Sequence, residues 1–388
     1  MDLRFTPAQQ AFREEVAGWL AANIPAEPLP SMDTPEGFER HREWERVLHD
    51  ARWSVVAWPE AYGGRGVGLV EWLIFEEEYY LSGAPGRVST NGISLLGPTL
   101  FAYGTEAQKD RFLPRMASGE ELWSQGWSEP NAGSDLASIT TRGTRDGEWF
   151  VLDGQKTWCT RGAWADWLFC IVRTDPTSQR HSGLSYLLVP ADADGLERRP
   201  VGRLDGEPAF AELFFDGCRV HESNLLGTEG QGWNVAMATT SSERGLNLRA
   251  PGRFLAAVDS LAGLYRELAD DGAADRSLLD EVVRAWTGAQ AYRWQTYGTA
   301  ARLMAGGELG SASSMMKVFW SELDVELHAT ALRLLGDRGE LVAAAPDAVD
   351  GGSWMAGYLF ALSGPIYAGT NEIQRNIIAE RVLGLPRK

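Results

Sequence analysis

The 388-residue chain predicts an α+β multidomain fold, with an N-terminal helical domain, a central β barrel or sandwich and a C-terminal helical bundle. Three shifts in pattern predict it. Apolar residues recur at three- and four-residue spacing through the first third of the chain; from about Leu122 short β-branched or aromatic runs broken by Asp-Gly and Gly turns replace them; from about Gly230 long helical periodicities return and run to the end. The expected domains are therefore residues 1–121, 122–228 and 229–388, with no internal repeat and no low-complexity tract.

The first element is a helix because Thr6, before Pro7 and three positions ahead of Gln9, is a capping-box start, and Phe5, Phe12, Val16, Trp19 and Leu20 then form one apolar stripe. FERHREWERVLHDA, LVEWLIFEEEYYLS, GISLLGPTLFAYG and TEAQKDRFLPRMAS repeat helical spacing, separated by joints such as PEAYGGRGVG. That glycine cluster has neither Walker A nor GxGxxG spacing and reads as a turn. In the middle block WFVLDGQKTW, DWLFCIVRT, GLSYLLVP and AELFFDGCRV read as strands. RFLAAVDSLAGLYRELA, SLLDEVVRAWTGAQAYRWQTYGTAARLMA and SMMKVFWSELDVELHATALRLLG then supply the bundle. In the closing PIYAGTNEIQRNIIAERVLGLPRK, Asn371 followed by Gln374 marks a helix start, Ile373, Ile377 and Ile378 recur at helical spacing, and Gly384 and Pro386 stop the helix. Its free N–H groups and partial positive charge suit an anionic ligand, although many helix ends face only water.

A formal charge of −17, with no Lys/Arg-rich run to reverse it locally, opposes binding to nucleic acid or anionic lipid. The start MDLRFTPAQQAF carries acid and lacks an apolar signal core, and no segment reaches about 18 uninterrupted apolar residues, so a cytoplasmic protein without membrane insertion is expected. Cys159, Cys170 and Cys218 have neither disulfide-framework nor zinc spacing, and the five histidines form no metal-ligand motif, so no metal is expected. Sixteen tryptophans are many for this length and suit large apolar or ring-shaped surfaces.

Three segments combine polar groups with small or aromatic residues. WSQGWSEPNAGSDLAS offers Ser128, Ser134 and the backbone around Gly133 to polar ring edges or phosphates, with Trp123 and Trp127 to cover a flat ring; a tight turn satisfies the same residues. GQKTWCTRG puts Trp158 and Thr160 on one strand face, where an indole stacks on a ring and a hydroxyl meets its edge, or where both simply face solvent. GQGWNVAMATTSSERGLNLR is uncharged from Gly230 to Ser242 and then presents Glu243 and Arg244 together, either an ion pair capping a helix or a desolvated carboxylate whose pKa rises from roughly 4.3 toward the 6 to 7 of a general base.

In this order, WSQGWSEPNAGSDLA, VLDGQKTWCT, DWLFCIVRTDP and YAGTNEIQRNIIAERVLGLP resemble the acyl-CoA dehydrogenase family over almost the whole chain. The resemblance implies an FAD-binding enzyme that oxidises an acyl thioester to its trans-2-enoyl product. It also implies site roles. Gln125, Trp127, Ser128, Gly133 and Ser134 fall on the family's first flavin loop, with Ser134 also near the thioester's pantetheine arm; Trp158 and Thr160 fall on the flavin-stacking tryptophan and the threonine near flavin N5; Thr370 and Glu372 fall on the later flavin segment. Ser241, Arg244, Ala368 and Gly369 are the remaining expected substrate contacts.

Most members carry the catalytic glutamate where Ala368 stands, and alanine cannot take a proton. In a minority the base precedes an arginine on the helix after the β domain, which matches Glu243 and Arg244, so Glu243 is the expected α-proton base and flavin N5 the β-hydride acceptor. The backbone N–H of Ala368 remains as a donor to the thioester oxygen.

Two departures from the family pattern stand out. No Arg-x-x-Phe-Gly segment lies between Arg253 and Arg284, and the later glycine pair is imperfect in RLLGDRG. Both concern the part of the flavin site shared between subunits, which leaves a homo-oligomer or a heteromer with a related subunit open. The closest likeness is to actinobacterial-type members acting on bulky or steroid side-chain thioesters, with an electron-transfer flavoprotein as implied acceptor. Alternatives on the same fold are an acyl-carrier-protein dehydrogenase, a flavin monooxygenase, or a non-catalytic subunit.

Overall fold

The computed structural model describes residues 4–244, 250–310, 313–342 and 345–386, the side chains of 241–244 excepted. Its helices are α1 (Pro7–Asn23), α2 (Pro35–Asp50), α3 (Leu69–Leu81), α4 (Gly97–Tyr103) and α5 (Glu106–Ala117) before the strands, then α6 (Gly232–Arg244), α7 (Pro251–Asp270), α8 (Leu279–Met304), α9 (Ser313–Leu335), α10 (Ser353–Ala361) and α11 (Asn371–Ile377). The strands between them are β1 (Trp123–Gly126), β2 (Arg142–Asp146), β3 (Trp149–Thr160), β4 (Trp167–Arg173), β5 (Leu184–Pro190), β6 (Leu196–Val201), β7 (Phe210–His221) and β8 (Leu225–Leu226). No helix among the described residues is long and apolar enough to cross a membrane.

The chain divides into two compact units that do not follow chain order: Pro25–Val67 with Pro85–Glu243, and Met1–Ile24 with Gly68–Ala84 and Arg244–Lys388. The first contains one eight-stranded mixed sheet in the order β6-β7-β3-β2-β4-β5-β8, with β1 added in parallel to β4. Strand β4 (WLFCIVR) is a continuous apolar run because both of its faces are covered, whereas β7 alternates buried Ala211, Leu213 and Phe215 with less buried neighbours. Phe150, Leu152, Cys170, Val172, Leu187, Leu213 and Val220 are part of the core they build. The expected sheet-rich middle is present, and the three free cysteines are all buried in it.

The second unit is helical. Thr6 opens α1 with the expected capping box, its hydroxyl accepting from Gln9 N and its own N–H donating to the Gln9 side chain. Helices α1 and α7 pack on α3, α7 on α8, and α8 on α9, around Phe254, Val258, Leu261, Tyr292, Trp320 and Leu327. Gly252 is required where α7 meets α3, since a Cβ there would come within 2.5 Å of the Glu76 carbonyl oxygen. Fully buried Glu77 is neutralised by two guanidinium groups, accepting two hydrogen bonds at 2.7 Å from Arg293 and one at 2.9 Å from Arg13.

Candidate active site

The sheet-containing unit carries the candidates of the first loop and of β3. Gln125 lies on β1, Trp127 and Ser128 directly follow it, and Gly133 and Ser134 lie in the next loop, both exposed. Gly126 has no room for a side chain, because a Cβ would sit 2.7 Å from the Cys170 sulfur. Trp158 and Thr160 end β3, where the ladder to β7 slips between Lys156 and Cys159. The simple alternation expected there is interrupted: Lys156 and Thr157 are both buried, and Trp158 adopts φ +59° and leaves its ring 61% exposed, touching Phe210 edge-on at 5.8 Å. A bulge in this position re-aims a side chain, and a left-handed tryptophan is a conformational outlier of the kind that clusters at binding sites.

One ion pair joins the two loops. Lys156, wholly buried, donates to Glu129 Oε1 at 2.8 Å and to the Trp127 carbonyl at 3.0 Å, while Thr157 N donates to the Ser128 carbonyl at 2.9 Å. Glu129 also accepts from Thr140 N, the Thr140 hydroxyl and Thr141 N at 2.7 to 2.9 Å. Burial alone would raise the Glu129 carboxyl; the Lys156 charge and these donors outweigh it and hold it down at about 2. Burial pushes the Lys156 ammonium below its ordinary value, with Glu129 acting against that. Neither partner was singled out in the sequence, and 27 residues separate them.

Trp127 is buried, yet its indole Nε1–H has no acceptor among the described residues. An orphaned buried donor on one loop and an exposed, re-aimed indole at Trp158 on the segment tied to it are the features a flat ring with polar edges would use.

Helix α6 belongs to this unit up to Glu243 and bears no charge from Gly232 through Ser242. It is fixed at its middle by Thr239, whose hydroxyl meets that of Thr99 at 2.9 Å and of Tyr186 at 3.4 Å, all three side chains buried. Two hollows share Gln231 and Asn234: one of about 600 Å³ beside Tyr103, Thr228, Met237 and Ala238, and one of about 370 Å³ beside His181, Gly183 and Trp233. The His181 and Trp233 rings lie 4.3 Å apart. Ser241, Glu243 and Arg244 occupy the last turn of α6, and their side chains lie outside the described residues.

The remaining candidates, Ala368, Gly369, Thr370 and Glu372, belong to the helical unit. Here the reading of the sequence needs correcting. Thr370, not Asn371, caps α11, its hydroxyl accepting from Ile373 N, and Gln374 completes no capping box. The Gln374 amide instead donates to the carbonyls of Ala368 at 3.1 Å and Gly369 at 3.4 Å. The fully buried positions of α11 are Asn371 and Gln374, while Ile373, Ile377 and Ile378 are only partly covered. Polar residues take the interior because partners await them: Asn371 Oδ1 accepts from buried Lys317 at 2.8 Å and from Ser321 at 3.1 Å. Glu372, exposed in the first turn of α11, is held below its usual range by its own backbone N–H and the Thr370 hydroxyl.

Ala368 has φ +56° and Gly369 φ +82°. The peptide N–H groups of Ala368, Gly369 and Thr370 donate to no acceptor among the described residues, although Tyr367 N and Asn371 N on either side do. Successive left-handed residues with free N–H groups form a concavity suited to a partly negative oxygen.

Comparison with known proteins gives the chemistry a context. Residues 6–120, 124–218 and 230–383 match the acyl-CoA dehydrogenase N-terminal, middle and C-terminal domains in turn. Acyl-CoA dehydrogenase IpdE1 of Mycobacterium tuberculosis strain H37Rv is 42% identical over 386 residues, covering 98% of each chain. Among solved structures, the Tcur3481-Tcur3483 steroid ACAD matches with a TM-score of 0.88 at 28% identity, and the ChsE4-ChsE5 complex from Mycobacterium tuberculosis with 0.84 at 31%, each covering 100% of both chains. The order of the segments and these matches agree: this chain belongs to the acyl-CoA dehydrogenase family of enzymes, and its cofactor is FAD.

Proposed function

We propose that the chain converts a bulky acyl-CoA into its trans-2-enoyl-CoA in the cytoplasm, with Glu243 as the base that removes the α proton. One observation carries the base assignment: α6 is an unbroken helix without charge from Gly232 to Ser242, and the first carboxylate it reaches is Glu243. A carboxylate with no charged neighbour on its own helix gains affinity for a proton when a bound apolar ligand displaces water from it. The position where the family resemblance expects a glutamate carries only the Ala368 methyl group.

Bound FAD supplies, at N5, a two-electron acceptor for the β hydride. The chain's own residues do the rest. Trp158 would offer a ring face and Trp127 an N–H to the flavin, and Gln125, Ser128, Gly133, Thr160, Thr370 and Glu372 would complete the set of residues that hold it. Ser134 lies toward the pantetheine arm, and Ser241 and Arg244 flank the base. The α C–H is too weak an acid for a glutamate unless its carbonyl is polarised, and the free N–H of Ala368 is the donor we assign to the thioester oxygen. Removing a donor of this kind costs about 2.7 to 4 kcal/mol, and a backbone donor survives the loss of the glutamate side chain.

The likeness to the Tcur3481-Tcur3483 steroid ACAD supports a bulky thioester. The Tcur3481-Tcur3483 steroid ACAD and the ChsE4-ChsE5 complex each pair two components, and the absent Arg-x-x-Phe-Gly segment supports a heteromer with a related subunit here; an electron-transfer flavoprotein is the acceptor we assign by family likeness. Anaerobic mixing of the FAD-loaded protein, alone and with a co-expressed paralogue, with straight-chain and polycyclic acyl-CoAs tests the reading. Flavin bleaching is expected with the bulky thioesters, and Glu243→Gln is expected to keep the flavin but slow bleaching by roughly 100- to 10,000-fold. A variant reduced as fast as the parent removes Glu243 from the mechanism.

A further inference from the structure

Ala368 is one of six non-glycine residues among those described with φ near +55°, and its methyl group has no polar atom with which to stabilise that conformation locally. Something else must hold it. The turn is tied at its start by Ile366 N and Tyr367 N donating to the Ser363 carbonyl, and at its end by Asn371 N donating to the Pro365 carbonyl at 2.8 Å. Between these ties, the only side chain that grips the Ala368 and Gly369 peptides among the described residues is Gln374, fully buried, through one amide nitrogen shared by both carbonyls. Its Oε1, also buried, has no partner among the described residues, so the donor side of this amide is the side put to use.

We infer that Gln374 is a positioning residue for the oxidation: by holding the Ala368 and Gly369 carbonyls it keeps Ala368 left-handed and its N–H free for the thioester oxygen. The inference rests on the reading that Ala368 N–H meets that oxygen. It also explains why an alanine can occupy this backbone position, because the restraint comes from a helix already anchored by the Lys317 to Asn371 contact.

The test separates the two ideas. Isotope-edited infrared spectra of a bound ¹³C=O-labelled enoyl-CoA report carbonyl polarisation in the FAD-loaded protein without turnover. The parent is expected to shift the carbonyl stretch to lower frequency; no shift in the parent refutes the underlying reading of Ala368. In Gln374→Met, which keeps the volume and removes the donor, the shift is expected to shrink and flavin reduction at saturating thioester to slow by roughly 10- to 100-fold, as for a small misplacement of a reacting group. Adding Ala368→Gly to Gln374→Met is expected to return most of both losses, because glycine enters the left-handed region without the steric penalty. Gln374→Glu, which sets a carboxylate against the two carbonyls, serves if the methionine variant does not fold, with the same expected losses. A parent-like carbonyl shift and reduction rate in the folded Gln374 variant, whatever its melting temperature, overturns the proposal, as does failure of the glycine to rescue.

Discussion

Lys156→Met tests the joint that holds the loop after β1 to the Trp158 bulge. The substitution leaves the Glu129 carboxylate buried with three neutral donors from Thr140 and Thr141, and leaves the Trp127 carbonyl without the ammonium. Two routes give the size of the loss. Removing one partner of a buried ion pair costs about 3 to 5 kcal/mol. Independently, a carboxyl lowered from 4.5 to about 2 corresponds to about 3 kcal/mol at neutral pH. The downward push on Lys156 opposes this, so the pair's net worth is below either figure, but a single substitution exposes the uncompensated charge in full.

The sign with pH follows from Glu129. Its folded pKa lies below its unfolded value, so its stabilisation is complete above about pH 4.5 and is lost as pH falls through that value toward about 2. Chemical unfolding followed by tryptophan fluorescence, for Lys156→Met, Glu129→Gln and the pair, checks the argument. Lys156→Met is expected to lose about 3 kcal/mol or more at pH 7 and to regain part of it on acidification, because protonating Glu129 removes the stranded charge. The double variant is expected to be more stable than Lys156→Met alone. A single variant within about 1 kcal/mol of the parent, or a double variant worse than the sum of the singles, refutes the reasoning.

Two further substitutions separate binding from folding. Trp158→Ala is expected to change stability by no more than about 0.5 kcal/mol, because the ring is 61% exposed, while raising the FAD dissociation constant about tenfold; fluorescence titration of the apoprotein reads it. Trp127→Phe deletes a buried N–H without an acceptor, so the apoprotein is expected to be as stable or up to about 1 kcal/mol more stable, with FAD bound about fivefold more weakly. Unchanged flavin affinity in both variants removes the two tryptophans from the cofactor site.

What was legible in the sequence was local. The Thr6 and Gln9 capping box is a contact between residues three apart, and it forms as expected. The strands of the middle block announce themselves because β-branched and aromatic runs between Asp-Gly turns specify extended structure without help from the partner strand. The bulge at Trp158 was hidden because it depends on where β7 pairs with β3, a property of two segments about fifty residues apart. The Glu129 to Lys156 pair was hidden for the same reason. The Asn371 and Gln374 spacing misled because a capping pattern shows only that a glutamine can reach backward, and here it reaches two and three residues farther, to carbonyls rather than to the cap N–H.

The two loops proposed to meet FAD and thioester are built alike, and the likeness explains why each tolerates an unfavourable backbone. A left-handed residue at Trp158 or Ala368 is disfavoured by roughly 1 to 2 kcal/mol, so it persists only where the surroundings determine it. In the sheet, Lys156 holds the Trp127 carbonyl and Thr157 N the Ser128 carbonyl, which fixes the chain just before Trp158; Arg161 N then ties the far side to the Ala209 carbonyl at 2.7 Å. In the helical unit, Gln374 grips the Ala368 and Gly369 carbonyls while Lys317 anchors the helix that bears it. In both places a fully buried side chain grips backbone carbonyls: Lys156, two residues before Trp158, holds that of the neighbouring Trp127, and Gln374 holds those of Ala368 and Gly369 themselves. Holding a peptide by its oxygen leaves its neighbours' N–H groups and side chains directed away from the restraint, which is what a loop needs if its front is to meet a ligand.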